Sequence, residues 1–200
     1  MVDSQLRPEG VTDPTVIEAM AALAREKFLP EAVRPFAYSD RAIALGDGRF
    51  VPPPAILGQL LTQMAPRAGQ RALVIGAGSG YSSAVLARIG LEVVALESSA
   101  ELAASARKHK LNVVEGPLDA GWNEAAPYHQ ILIDGAVEAI PEAIIAQLAE
   151  GGQLGASLIE RGISRLIVGR KAGGAFGYLS LGDAGTPALP GFSRPKEFIF

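Results

Sequence analysis

The chain has 200 residues, 48% hydrophobic and 20% charged, with no cysteine. Such totals suit one folded domain with a sizeable core, and they exclude disulfides, thiolate metal sites and cysteine nucleophiles. A net charge of −3 and a pI near 5.5 give no basic footprint for nucleic acid or an anionic membrane surface. The opening "MVDSQLRPEGVTDP" lacks the pattern of a secretory leader, and no apolar run approaches the roughly 20 residues of a membrane span. A cytoplasmic protein is expected.

Thr12-Asp13-Pro14 is a helix start, an oxygen-bearing cap followed by proline at a position that needs no N–H. Val16, Ile17, Met20, Leu23 and Ala24 recur at helical spacing, so the helix is expected to run to about Phe28, before Pro30. The turn-rich "PEAVRPFAYSDRAIALGDGRFVPPP" reads as a loop or short hairpin, long enough to be functional. A second helix is expected from about Ala55 to Met64. After Gly69 the texture changes. Ala72–Ile75, Val93–Leu96, Val113–Val114 and Ile131–Ile133 read as buried strands, with helices at Tyr81–Ile89, Ala100–Lys108 and Pro141–Leu148. That alternation predicts an α/β fold, a doubly wound and mostly parallel sheet with helices on both faces. Beyond Gly151-Gly152, "QLGASLI", "SRLIVGR" and "GYLSL" add antiparallel C-terminal strands. The whole chain is taken as one domain, with residues 1–66 as a helical and loop extension and 67–200 as the core.

The strongest local signal is "LVIGAGSGYSSAVLARIG", a strand that breaks at Gly76, Gly78 and Gly80 and reopens as a helix. Glycine permits a sharp turn and lets a ligand approach the backbone. The dinucleotide version, G-x-G-x-x-G, wants a small residue where this chain has Tyr81. Glu97 ends the next strand, where a carboxylate can accept from both ribose hydroxyls. Together these features favour an adenosine ligand, and S-adenosylmethionine over NAD. A purely structural turn and a nicotinamide dehydrogenase are the rival readings.

From Gln5 to Phe200 the chain resembles the protein-L-isoaspartate O-methyltransferases, which have the Rossmann-like S-adenosylmethionine-dependent methyltransferase fold. The resemblance is carried by "VTDPTVIEAMAALAREKFLPEAVRPFAYSDRAIALGDGRF", "GAGSGYSSAVLA", "GWNEAAPYHQILIDGA", "IPEAIIAQLAEGGQL" and the closing "PALPGF". It implies a methyl transfer to the abnormal α-carboxylate of isoaspartyl residues in a protein or peptide partner. The implied cofactor residues are Gly76, Ala77, Gly78, Ser79, Gly80 and Glu97, with the 45–54 loop as a lid over the acceptor.

Several positions depart from the family pattern. Its substrate-engaging serine falls on Pro52 and its threonine on Phe50, neither of which has a hydroxyl. Its acidic residue two places before the first glycine is Val74, and its adenine-side aspartate is Pro117, with Asp119 two residues on as a substitute. Arg49 in the altered loop and Asp134 after "QILI" are the candidate catalytic residues, against readings as a loop arginine and a turn aspartate. Ser82 and Ser83 could meet a ligand carboxylate or cap a helix, and Trp122 reads as a packed loop anchor. His109 and His129 show no metal-ligand spacing, so no metal is expected. Alternatives for the whole chain are a degenerate binding scaffold and a methyltransferase with another carboxylate acceptor.

Overall fold

The computed structural model describes residues 1–193; residues 194–200, the end of the stretch that carries the resemblance, lie outside the described residues. Helix α1 (Pro14–Ala21) starts where the cap predicts: Asp13 Oδ1 accepts from the N–H groups of Thr15 (2.8 Å) and Val16 (3.1 Å). It ends earlier than its apolar spacing suggests. Residues Arg25–Phe28 form a separate 3₁₀ turn, which lets the Arg25 side chain turn inward and donate from Nε to the Ala37 carbonyl at 2.8 Å.

The turn-rich segment contains a 3₁₀ stretch (Glu31–Phe36) and then the hairpin β1 (Ile43–Gly46) and β2 (Arg49–Val51). Gly46, Asp47 and Gly48 turn it with φ values of 102°, 51° and 67°, a left-handed path that two glycines make accessible. Helix α2 (Pro54–Met64) begins on a proline.

The main sheet has seven strands: β3 (Arg71–Ile75), β4 (Glu92–Glu97), β5 (Asn112–Glu115), β6 (Tyr128–Val137), β7 (Leu148–Glu160), β8 (Ile163–Ala172) and β9 (Ala175–Asp183). Their spatial order is β5-β4-β3-β6-β7-β8-β9. The first five in that order are parallel, and β8 and β9 return as antiparallel hairpins. Helices α3 (Tyr81–Ile89) and α4 (Ala100–Arg107) make the first two crossovers. The expected 141–148 helix shrinks to α5 (Glu142–Ala146), because Leu148 already pairs with Tyr128 as the start of β7. No helix among the described residues is long and apolar enough to cross a membrane.

Successive β3 side chains feed opposite layers. Ala72 and Val74 join α1, α2 and α3 in one apolar cluster, while Leu73 and Ile75 join β6, β7 and α5 in the other. Val74 is fully buried in the first, so the position at which the family pattern has an acid is packed as core here. Trp122 packs against the second cluster, and Tyr128 Oη donates to its carbonyl at 2.6 Å, which bears out the loop-anchor reading. The hairpin rests on a third, small cluster of Leu29, Ala37, Ile43 and Val51. Beyond that cluster, the hairpin meets the rest of the fold through Arg49, through Asp47, through Leu45 over Gly78 and through Gly48 against Pro190.

Candidate active site

Strand register assembles the site. Ile75 pairs with Leu96 on one side and Ile133 on the other, so Gly76, Glu97 and Asp134 stand at one level, at the carboxyl end of β3. Two carboxylates therefore flank the first glycine of the turn. β4 and β6 lie on opposite sides of β3, which makes this the switch point where ligands of doubly wound sheets bind.

The glycine turn is shaped as its sequence requires. Gly76, Gly78 and Gly80 have φ of 77°, 55° and 96°, and Gly80 leads directly into α3. Ala77 and Ser79 are buried between them, and Ser79 Oγ has no partner. Glu97 is fully buried. Its Oε2 accepts from the Gly78 N–H at 2.6 Å, and its Oε1 from the N–H groups of Ser98 (2.8 Å) and Ser99 (3.1 Å). Three backbone N–H groups thus meet the polar demand of this buried side chain.

A second charge stands on the same carboxylate. Arg49, 2% exposed, places Nη2 3.1 Å from Glu97 Oε2 and also donates to the Gly76 carbonyl. Burial lowers the Arg49 pKa, and the charges of Glu97 and Asp134 oppose that effect. The pair lies in the space that glycine leaves free. A β-carbon built on Gly76 would lie 2.6 Å from Arg49 Nη2, and one on Gly78 would lie 3.0 Å from Leu45 Cδ1. Both neighbours come from the β1–β2 hairpin. The donor set thus suits an adenosine ligand, with glycine backbone and a carboxylate for ribose hydroxyls, and Arg49 and Leu45 of the hairpin stand over Gly76 and Gly78. On the acceptor side, Gly48, Phe50, Pro52, Asp134 and residues 186–189 line a cavity of about 10 Å³, close to the lower limit for one water.

Arg25 and Tyr81 complete the buried network. Arg25 is fully buried, donates from Nη2 to the Pro52 carbonyl and stands 4.6 Å above the centre of the Tyr81 ring. Tyr81, which argues in sequence against a dinucleotide, is core: Phe28 packs edge-on to it, and His109 stacks on Phe28 at 4.0 Å. The closing "PALPGF" runs beside β6, with Ala136 N–H donating to Pro187 and Leu189 N–H donating to Ala136, so Leu189 covers Gly76 and Gly135. Ser82 Oγ donates to Asp134 Oδ2 at 2.6 Å. Asp119 is exposed on the 3₁₀ turn Leu118–Ala120. Spacing alone did not mark Arg25, which carries no motif and sits in an unremarkable "REKF".

Burial raises the Asp134 carboxyl to about 6, against the pull of the Ser82 hydrogen bond and the charges of Arg49 and Arg25. A carboxyl whose pKa is higher folded than unfolded binds its proton more tightly when folded. Its ionisation therefore costs stability, progressively from about pH 4 to about pH 6 and constantly above. Asp134→Asn is expected to exceed the parent in stability at pH 8 by on the order of 1–3 kcal/mol, with the gap closing toward pH 4. Urea midpoints across that range check this, and a gap independent of pH contradicts it.

The family model described as protein-L-isoaspartate(D-aspartate) O-methyltransferase (PCMT) matches residues 1–175. A protein-L-isoaspartate O-methyltransferase of Methylorubrum populi is 40% identical over 162 residues, 77% of this chain and 76% of that one. One from Protochlamydia amoebophila is 32% identical across 96% of this chain and 95% of its own. In fold, a Plasmodium falciparum structure described as a putative protein-L-isoaspartate O-methyltransferase in complex with S-adenosyl-L-homocysteine superposes with a TM-score of 0.80 at 20% identity, covering 92% of this chain and 94% of that one. Another, described as a protein-L-isoaspartate O-methyltransferase, gives 0.82 at 22% identity over 93% of this chain, which spans 64% of that longer one. With the glycine turn, its paired carboxylate and the sheet order already in place, these matches make the chain a member of the protein-L-isoaspartate O-methyltransferase family.

Proposed function

We propose that this protein transfers a methyl group from S-adenosylmethionine to a carboxylate of a protein or peptide in the cytoplasm, with the α-carboxylate exposed at an isoaspartyl residue as the acceptor. One observation carries the reading: in a chain of this family, the Glu97 carboxylate is buried and accepts from the Gly78 N–H beside a left-handed glycine turn at the sheet's switch point. Gly76, Ala77, Gly78, Ser79, Gly80 and Glu97 are the proposed cofactor residues, with Asp119 at the adenine side. When bound, the cofactor supplies an electrophilic methyl group on a sulfonium.

The acceptor is already an anion at neutral pH, so no general base is required. The protein's work is to orient the acceptor and exclude water, and orientation alone can supply several kcal/mol. Pro52 offers neither a hydroxyl nor an N–H for this task. We assign it to Arg49 on the adjacent strand, whose planar fork matches a carboxylate. Asp134, braced by Ser82, faces the same crevice and is assigned to an ammonium group of the ligands bound there.

Radiolabelled methyl transfer to an isoaspartyl peptide, compared with its normal aspartyl twin, tests the assignment. Label on the isoaspartyl peptide alone is the expected result. Label on both peptides would move the acceptor to carboxylates in general, and label on neither would remove the repair activity.

A further inference from the structure

The Arg49–Glu97 pair joins the hairpin to the cofactor-side carboxylate, and its geometry is unusual for a purely structural bridge. Only Nη2 of Arg49 is satisfied; Nε and Nη1 are buried without a partner. Buried donors left unpaired work against the conformation that holds them. A structural ion pair gains when every donor is used, and this one leaves most of its fork idle. Glu97, by contrast, keeps three backbone N–H donors whether or not Arg49 is present.

The hairpin's attachment is equally partial. Its apolar residues form their own cluster with Leu29 and Ala37, apart from both main cores. Beyond that cluster it offers Arg49, Leu45 over Gly78, Gly48 against Pro190, Phe50 beside the 187–189 segment, and an exposed bond in which Ser99 Oγ donates to Asp47 Oδ2 at 2.7 Å. Resting on the proposed function above, we infer that Arg49 is an internal latch: in the free protein its guanidinium occupies the Glu97 carboxylate and the space over Gly76, and the hairpin must withdraw before an adenosine ligand can enter. The ligand and Arg49 then compete for one carboxylate, so cofactor affinity is set by the cost of releasing Arg49. Released, Arg49 exchanges Glu97 for a carboxylate on the acceptor side.

The chain has no cysteine, so a lock can be engineered cleanly. Asp47→Cys with Ser99→Cys replaces an existing contact between the hairpin tip and the start of α4 by a disulfide that holds the hairpin down. Titration with S-adenosyl-L-homocysteine is the readout, on the oxidised and reduced forms of this variant, on Arg49→Gln and on the parent. The expected results are loss of binding in the oxidised form, its return on reduction, and a gain of about tenfold or more in Arg49→Gln. Equal binding by oxidised and reduced protein, or by Arg49→Gln and the parent, overturns the latch and leaves the methyltransferase reading intact. No binding by the parent, the reduced variant or Arg49→Gln overturns both.

Discussion

Glu97→Ala is expected to destabilise the fold by about 3–5 kcal/mol, the range for removing one partner of a buried ion pair. The reason lies in what the carboxylate leaves behind. Arg49 stays 2% exposed without its paired carboxylate, and the N–H groups of Gly78, Ser98 and Ser99 lose their acceptor together. Removing Arg49 is the smaller insult, since Glu97 retains three donors. The double variant Glu97→Ala/Arg49→Gln is therefore expected to be more stable than the sum of the single losses by at least 1 kcal/mol, roughly the size of coupling between contacting residues. Denaturant unfolding of the four proteins checks this, and strict additivity would contradict the pairing.

Arg25→Ala ranks second, with an expected loss of about 3 kcal/mol or more from two buried carbonyls stripped of their donor. Those carbonyls belong to Ala37 and Pro52, so this one side chain ties the first 3₁₀ turn to both ends of the hairpin segment. It also faces the Tyr81 ring, which opens α3 directly after the glycine turn. Arg25→Lys is expected to recover only part of the loss, because an ammonium cannot fork between two acceptors while facing a ring. Amide exchange adds a local check: residues 43–51 should lose protection in Arg25→Ala before the central strands do. Uniform loss across the sheet would contradict the tie.

Much of the sheet was legible from the chain alone, because its central strands are short apolar runs buried on both faces. Tyr81–Ile89 was bounded by glycine at each end, and the helix matches those bounds. The extent of α1 was less legible: apolar spacing continues through Leu23 and Ala24, but Arg25 turns inward to carbonyls more than ten residues away, which no local pattern encodes. The 30–54 segment reads from sequence as a loop or hairpin, and the structure contains a two-residue Asp47-Gly48 turn flanked by short strands.

The site was legible in its parts and not in its connections. The glycine turn and Glu97 could be paired from their spacing, since each ends one of two adjacent parallel strands. Arg49 could be singled out as a carboxylate ligand, but sequence could not say which carboxylate, and in the structure it holds Glu97. That contact joins residues 48 positions apart across a hairpin whose docking depends on Leu45, Asp47 and Pro190. Val74 shows the converse. From sequence it is a missing acid at the cofactor site, while in the structure it is a fully buried member of the α1–α3 core.

The central claim is that the Glu97 carboxylate serves an adenosine ligand, although Arg49 pairs with it. Calorimetric titration of the parent and Arg49→Gln with S-adenosyl-L-homocysteine tests this most directly. Saturable one-site binding by both, tighter in Arg49→Gln, is the predicted result. Flat traces from both proteins at millimolar ligand would contradict it.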